Sequence, residues 1–146
     1  MGKVNNILEG KGARKNTVFS VPPSTIVYNA IEIMAEKNIG ALLICENDSL
    51  VGIFSERDYA RKLILKGKSS KDTTIGDLMT KDPFTITPEA SIEECMEIMT
   101  TRRFRHLPVM EGSKVVGVIS ITDVVRSIIE EQKSTISHLQ SYIAGQ

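Results

Sequence analysis

Two stretches of the chain carry apolar residues at the spacing of one helical face. The residues of this face are Val27, Ala30, Ile31 and Met34 in the first stretch, and Ile92, Cys95, Met96 and Met99 in the second. A proline beside Ser24 precedes the first stretch and a proline beside Glu89 precedes the second, which is typical of a helix start. The pattern predicts two amphipathic helices whose apolar faces belong to the core.

Each predicted helix is followed by two apolar runs with a polar tetrapeptide between them. "ALLIC" and "LVGIF" flank "ENDS", and "HLPVM" and "VVGVIS" flank "EGSK". Nearly continuous apolar runs predict strands that are covered on both faces, here joined as β-hairpins. A short apolar run, "TVFSV" or "PFTIT", precedes each first helix, and a second helix begins after each hairpin. The predicted unit is therefore β-α-β-β-α.

The unit occurs twice. Shifting the sequence by 65 residues lays residues 19–64 over residues 84–129 without a gap, and glycine, serine and aspartate coincide as well as the apolar positions. Such agreement indicates an internal duplication. One copy is too small to bury its faces well alone, so we expect the two copies to pack together. The predicted segments are an N-terminal segment 1–13, a first repeat 14–68, a linker 69–78, a second repeat 79–131 and a C-terminal helix extension 132–146.

The last predicted helix continues beyond the second repeat. Its apolar stripe consists of Val125, Ile129, Ile136, Leu139 and Ile143, and "VNNIL" near the amino terminus is another apolar segment outside the repeats. Apolar surfaces of this kind need to be covered, either by the chain's own core or by a partner subunit. We therefore expect a homodimer.

Composition and charge narrow the possible functions. The 18 basic and 18 acidic residues cancel, so no global field attracts nucleic acid or an anionic membrane. No stretch approaches the roughly 18 apolar residues of a membrane span, and the first residues lack a signal core. These features predict a cytoplasmic protein that binds no membrane. Cys45 and Cys95 have no metal-ligand spacing and are expected to be small buried side chains.

A Ser-x-x-Asp phrase opens the second helix of each copy, as Ser55 with Asp58 and as Ser120 with Asp123. The simplest interpretation is a helix cap, with serine as the N-cap and the acid in the first turn. However, a glycine precedes each serine by three residues, and a strand glycine indicates a close approach to the backbone. A helix N-terminus with a hydroxyl favours phosphate, whereas a carboxylate accepts well from a vicinal diol. The phrase therefore also fits a nucleotide, with serine near phosphate and aspartate near ribose.

The phrases "GIFSERD" and "GVISITD", the strand "RHLPV" and the repeated unit together resemble a tandem pair of CBS domains, the regulatory modules first named for cystathionine β-synthase. The resemblance covers roughly residues 14–131, and stretches such as "NIGALLI" and "SERDYARK" are similar to stand-alone two-CBS proteins of bacteria and plant organelles. It implies an α/β (α+β) fold of two repeats packed with pseudo-twofold symmetry, with two clefts, plus the long C-terminal helix. The implied ligand is an adenine nucleotide, foremost AMP, with ATP, ADP and NAD or NADH as further candidates.

The resemblance also implies roles for particular residues. Asp58 and Asp123 are expected at the ribose, Ser55 and Ser120 near phosphate, and Thr122 and its counterpart Arg57 as polar contacts. Adenine is expected against the first and second strands of each copy, near Thr17, Ala41, Leu43, Phe84, Thr85, Leu107 and Val109.

Basic residues are concentrated in the second copy, in the stretch "TTRRFRH". Arg105 and His106 enter the strand that is expected to line a cleft, so we expect them to contact ligand. Arg102 and Arg103 fit either phosphate contacts or a solvated helix end. One cleft is therefore expected to prefer a more highly phosphorylated or dinucleotide ligand.

Three functional hypotheses remain open from the sequence. The chain has no P-loop, GxGxxG or HExxH motif and only two histidines, so we expect no catalysis. We favour a nucleotide sensor whose ligand changes its contact with a separate effector protein. One alternative is a ligand-free interaction scaffold, in which the Ser-x-x-Asp phrases are only helix caps. The other is a nucleic-acid regulator that binds through "RRFRH", although four basic groups form only a small basic patch for that purpose.

Overall fold

The chain folds into two similar units of helices and strands, in a computed structural model that describes residues 2–10 and 19–145. The elements of the first half are α1 (Val4–Gly10), β1 (Ser20–Val21), α2 (Val27–Lys37), β2 (Ala41–Glu46), β3 (Ser49–Ser55) and α3 (Glu56–Asp58), which continues as a π-helical stretch (Tyr59–Ile64). The elements of the second half are α4 (Ile75–Leu78), β4 (Thr80–Lys81), α5 (Ile92–Arg102), β5 (His106–Glu111), β6 (Lys114–Ser120) and α6 (Ile121–Ala144). The predicted mixed fold with a long C-terminal helix is confirmed.

The duplication is visible in the strand register. Leu43 lies opposite Ile53 in the first antiparallel hairpin, and the residues 65 positions later, Pro108 and Val118, lie opposite each other in the second. Both hairpins also carry an irregularity in register at the same place. The two predicted hairpins are confirmed.

Each hairpin closes with a two-residue turn. Asn47 and Asp48 both have positive φ angles, of 51° and 64°, as a type I′ turn requires. The second turn has Gly112 at its first central position, with a φ of 65°, which suits a type II′ turn. The polar tetrapeptides of the sequence therefore set the register of the strands that line the cleft.

The predicted helical faces are core. Val27, Ala30 and Met34 of α2 are buried in one cluster, and Ile92, Cys95 and Met99 of α5 are buried in another. The helices begin three residues after Ser24 and Glu89, so the start signal was placed too early. A turn fills the gap, and in α5 the true N-cap is Ser91, whose Oγ accepts from the Glu94 backbone N–H at 3.1 Å.

The first strands of the two repeats differ from the prediction. In the first repeat, Val21 of β1 pairs in parallel with Ile44 of β2. In the second repeat, only Ile86 bridges to Val109, so "PFTIT" forms no full strand. Instead β4 pairs antiparallel with β3, giving a sheet in the order β1-β2-β3-β4 beside the two-stranded sheet β5-β6. A strand from the predicted second repeat thus completes the sheet of the first.

Helix α1 packs on the second repeat. Val4 and Leu8 are buried in the core cluster of that repeat, and the Val4 backbone N–H donates to the Ala90 carbonyl oxygen at 2.8 Å. The segment "VNNIL" is therefore covered by the second repeat of the same chain, and its use as support for a dimer was wrong.

Helix α4 packs on the first repeat in the same way as α1 packs on the second. Ile75 and Leu78 are buried in its core, and the Ile75 backbone N–H donates to the Thr25 carbonyl oxygen at 2.7 Å. This bond corresponds to the one made by α1, since Thr25 and Ala90 are 65 residues apart. The segment predicted as the linker, 69–78, therefore supplies core side chains.

The repeated strand glycines are explained by these two helical segments. A Cβ on Gly117 would come within 2.6 Å of the Leu8 side chain, and a Cβ on Gly52 would collide with the Met79 side chain. The sequence correctly indicated a close approach to the backbone. The approach is made by protein side chains.

The two cysteines differ. Cys95 is buried as predicted, and burial raises the pKa of its thiol to about 11, with a further contribution from the charge of Glu94. Cys45 is only half-buried. Within the described residues, no cluster of histidine, cysteine and acidic side chains could hold a metal ion, and no helix has both the length and the apolar character needed to cross a membrane.

Candidate ligand-binding cleft

A cleft of about 650 Å³ opens between the two repeats. One wall is the end of β3 with α3 and the π-helical stretch, and the other is the connection from α5 into β5. Its apolar residues are Ile53, Pro83, Phe84 and Phe104, and its polar residues include Ser55, Thr80, two carboxylates and six cationic side chains. Because both repeats supply a wall, the cleft depends on how they pack together.

Ser55 and Asp58 form a capping box at the start of α3. The Ser55 Oγ accepts from the Asp58 backbone N–H at 3.2 Å, and Asp58 Oδ2 accepts from the Ser55 backbone N–H at 2.9 Å. The Ser55 hydroxyl lies 3.1 Å from the same Oδ2. The helix-cap interpretation of the Ser-x-x-Asp phrase is therefore correct for this copy.

The remaining oxygen of Asp58 is paired with a lysine. Lys62 Nζ lies 3.2 Å from Asp58 Oδ1, and Lys62 also donates to the Leu78 carbonyl oxygen at 3.1 Å. A carboxylate offers about four acceptor positions, of which Ser55 and Lys62 take about three. Asp58 keeps about one acceptor position for a group that enters the cleft.

Two arginines of the cleft are engaged with the opposite wall or with an aromatic ring. Arg57 Nη1 donates to the Arg103 carbonyl oxygen at 3.3 Å and so joins the two repeats. The Arg102 guanidinium lies 4.8 Å from the centre of the Phe84 ring, a cation–π contact. Lys37 lies 5.4 Å from the Phe19 ring at the positions 65 residues earlier, so the duplication kept this contact too.

His106 lies where the two repeats meet. Its imidazole is about 3.5 Å from the position that a Cβ on Gly40 would occupy, and the Glu56 carboxylate is 3.0 Å from that position. The Gly40 carbonyl oxygen accepts from the Glu56 backbone N–H at 3.2 Å. The absence of a side chain at Gly40 therefore makes room for Glu56 and His106 at this end of the cleft.

The structure brings together five residues that the sequence assigned to ligand binding, along with Phe84. They are Ser55, Arg57, Asp58, Arg105 and His106. Because Ser55 and Asp58 come from one repeat while Arg105 and His106 come from the other, the sequence could name them without showing that they share a cleft.

The predicted residues of the second copy lie at the start of α6. The Ser120 Oγ accepts from the Asp123 backbone N–H at 3.1 Å, and Asp123 Oδ2 accepts from the Ser120 backbone N–H at 2.9 Å, which is the same capping box. Thr122 is exposed and lines a shallow hollow along α6. The positions corresponding to Thr80 and Pro83 fall within residues 11–18, outside the described residues, as does the predicted contact Thr17.

The predicted adenine contacts are dispersed. Leu43, Leu107 and Val109 are buried strand residues, Ala41 is half-buried at the start of β2, and Thr85 is exposed. None of these five lines the cleft described above. Their assignment to a ligand stays a prediction.

Sequence reasoning overlooked several lining residues, above all Lys62. Its position four residues after Asp58 on a predicted helix is a known signal for an ion pair and could have identified it. Thr80 and Phe104 gave no such signal, because β4 and the turn before β5 reach the cleft only through tertiary packing.

Comparison with known proteins places this geometry in context. The family model of the CBS domain matches residues 14–65 and 75–130. The chain is 39% identical over 142 residues to the CBS domain-containing protein CBSX3, mitochondrial, of Arabidopsis thaliana, covering 94% of this chain and 68% of that protein.

Two solved structures are similar. A protein with CBS domains from Burkholderia ambifaria MC40-6 is 46% identical, with a TM-score of 0.86 over 90% of this chain and 96% of that one. The structure of CBSX2 in complex with AMP is 27% identical, with a TM-score of 0.69 over 90% of this chain and 99% of that one. These similarities cover both repeats and both walls of the cleft.

Proposed function

The chain belongs to the CBS-domain family, and on this basis we propose that it is a non-catalytic regulatory protein that binds an adenine nucleotide between its two repeats and controls an effector protein in trans. The observation that carries the proposal is the cleft of about 650 Å³, which is lined by Asp58, Phe84 and a group of arginines. A volume of this order suits a ligand the size of a nucleotide.

The cleft has side chains that suit each part of a nucleotide. Ile53, Pro83 and Phe84 offer apolar and aromatic surface for a base. The arginines offer planar donors that suit phosphate oxygens. Asp58 keeps an acceptor position for a ribose hydroxyl. Ser55 would reach a phosphate only by turning its hydroxyl away from Asp58.

The similarity to CBSX2 supports the choice of an adenine nucleotide, since that protein has been solved in complex with AMP. AMP is therefore the first ligand to examine, and ATP, ADP, NAD and NADH share its adenosine group. A location in the cytoplasm stays a prediction, and the similar Arabidopsis protein carries a mitochondrial designation in its name.

The proposed protein acts as a homodimer through α6. The residues Val125, Ile129, Gln132, Ile136, Leu139 and Ile143 follow one another at alternating spacings of four and three, the heptad pattern of a coiled-coil seam. All six are exposed within the chain. Isoleucine at every second seam position, with leucine at the alternate position 139, is compatible with a two-stranded coil. The formal net charge is zero, so two copies of the chain do not repel each other through their net charge. We therefore assign this seam to a second copy of the chain.

A ligand-free scaffold is the competing function, and the two capping boxes favour it. Both Ser-x-x-Asp phrases already form complete caps without a ligand. If capping were their whole role, replacing Asp58 would change the stability of the fold and no binding property.

Calorimetric titration of AMP distinguishes these functions. The proteins to compare are the wild type, Asp58→Asn and Asp123→Asn, since asparagine keeps an oxygen for the capping box while removing the charge. We expect AMP to bind the wild type and Asp58→Asn to lose the site between the repeats. Absence of heat with every adenine nucleotide, from folded and ligand-free protein, would favour the scaffold.

A further inference from the structure

The cleft carries more positive charge than a single phosphate can neutralise. Its cationic side chains are Arg57, Arg61, Lys62, Arg102, Arg103 and Arg105, against the two carboxylates of Glu56 and Asp58. A phosphomonoester carries about −1.5 to −2 charges at pH 7, which leaves roughly half of this excess uncompensated. A ligand with a chain of phosphates would match it better.

Three of these cations have no ion-pair, hydrogen-bond or aromatic partner for their side chain within the described part of the chain. Lys62 is paired with Asp58, Arg57 donates to the Arg103 carbonyl oxygen, and Arg102 lies over the Phe84 ring. The side chains of Arg61, Arg103 and Arg105 make no such contact and are exposed at the rim of the cleft. Guanidinium groups with unused donors are the usual partners of phosphate oxygens.

The uncommitted arginines come from both walls. Arg61 follows Asp58 by three residues in the π-helical stretch, whereas Arg103 and Arg105 belong to the connection between α5 and β5. A phosphate chain that starts near Asp58 and runs between the walls would meet arginines on each side.

The corresponding positions of the other copy carry a different set of charges. The 65-residue shift of the lining places there four cations and one carboxylate, Lys15, Lys37, Arg105, Arg126 and Asp123. The cleft itself has six cations and two carboxylates. The duplication kept the Ser-x-x-Asp phrase in both copies, while the charged residues around it diverged.

We propose that this cleft selects an adenine nucleotide with two or more phosphates over AMP, with Arg61 and Arg103 as the residues that determine this selectivity. This inference rests on the proposed function and specifies the ligand class of the same site.

The test is calorimetric titration of ATP and of AMP in Mg²⁺-free buffer, which leaves the phosphate charge unmasked. The protein is the full chain with Asp123→Asn, which neutralises the acid of the other copy. We expect ATP to bind about tenfold more tightly than AMP or better, and inorganic triphosphate to compete with ATP. Added salt should weaken ATP binding more than AMP binding.

The decisive variant is Arg61→Gln with Arg103→Gln in the same background. Both side chains are exposed, so the fold should tolerate the change, which circular dichroism checks. The affinity for ATP should fall about tenfold or more while that for AMP changes less than about threefold. Lys114→Gln, which removes one charge from the exposed start of β6, is the control for net charge and should leave both affinities unchanged.

The outcomes separate this inference from the proposed function. Equal affinities for ATP and AMP, or a preference for ATP that persists in the double variant, would overturn the selectivity while nucleotide binding stands. Failure of every nucleotide to bind would overturn both.

Discussion

At the scale of single residues, the repeated strand glycines show the strongest steric constraint. Gly52 is approached by the Met79 side chain and by the Thr80 carbonyl oxygen, which would lie 3.0 Å from an added Cβ. Gly117 is approached closely only by the end of the Leu8 side chain. A flexible side chain can turn aside more easily than a backbone carbonyl can move.

We therefore predict that Gly52→Ala destabilises the protein more than Gly117→Ala. Overpacking a buried site costs about 1 to 3 kcal/mol, and Gly52→Ala should lie in that range. Urea denaturation measures both free energies of unfolding. Gly10→Ala serves as the control, because nothing lies within 4 Å of its added Cβ. Equal losses at Gly52 and Gly117 would contradict the assignment.

A second prediction concerns the buried Cys95 thiol and the pH dependence of the free energy of unfolding. Its pKa of about 11 in the folded chain exceeds the ordinary value of 9.0, so the unfolded chain ionises first as the pH rises. The free energy of unfolding should therefore fall between about pH 9 and pH 11, and Cys95→Ala should lessen that fall. A pH dependence unchanged in Cys95→Ala would refute this explanation.

The sequence indicated which residues belong to the candidate cleft better than it indicated what those residues contact. It identified Ser55 and Asp58 because their type and spacing repeat at Ser120 and Asp123. It overlooked that Lys62 pairs with Asp58, although an i,i+4 pair is a local signal. It could not predict that Met79 and Leu8 cover the glycines, because those contacts join segments distant in sequence.

At the scale of elements, α1 is a short helix that contributes two buried side chains, Val4 and Leu8, to the core of the second repeat. Leu8 is 3% exposed, and removing a buried leucine side chain costs about 2 to 5 kcal/mol. Leu8→Ala should lower the free energy of unfolding by about that amount, measured in urea. The same substitution at Leu65, which is 78% exposed, should change it by less than about 0.5 kcal/mol. Similar effects at both positions would show that α1 does not hold the second repeat.

A further prediction at this scale concerns helix α6 as the interface of the dimer. Ile136 and Leu139 lie in the heptad seam and are 55% and 57% exposed in the single chain. A charge within the seam would be buried against a second copy, so Ile136→Glu should give a monomer in sedimentation equilibrium. Ser137→Glu adds the same charge outside the seam and should leave the dimer intact. A wild-type monomer, or a dimer in both variants, would rule out the seam as the interface.

The elements that the sequence predicted well are those with strong local patterns. Both hairpins and the apolar faces of α2 and α5 follow from periodicity. The apolar stripe beyond the second repeat correctly predicted that the last helix continues. The pairing of β4 with β3 was missed, since Thr80 and Lys81 carry no strand signal of their own. The π-helical stretch from Tyr59 was also not predicted, because its counterpart in α6 is an ordinary helix with a similar apolar pattern.

At the scale of the whole molecule, each half of the chain completes the core of the other. Helix α1 precedes the first repeat in sequence and packs on the second, whereas α4 precedes the second repeat and packs on the first. Neither half can lose its structure without uncovering apolar surface of the other.

We therefore predict one cooperative unfolding transition in urea. Tyrosine fluorescence reports mainly on the first repeat, which contains Tyr28 and Tyr59, and alkylation of buried Cys95 in Cys45→Ser protein reports on the second. The two midpoints should coincide. Separate midpoints would mean that the repeats unfold independently.

The positions of α1 and α4 also bear on how the duplicated protein arose. Val4 corresponds to Ile75, and the contact of Leu8 with Gly117 corresponds to that of Met79 with Gly52. This correspondence suits an ancestral unit that began with a short helix and packed that helix on a neighbouring copy. Such a unit would have been incomplete as a single copy and complete as a symmetric pair, each copy contributing one wall to two identical clefts. Fusion of two such copies would have freed them to diverge, and the different charged residues at corresponding positions of the two copies fit that history.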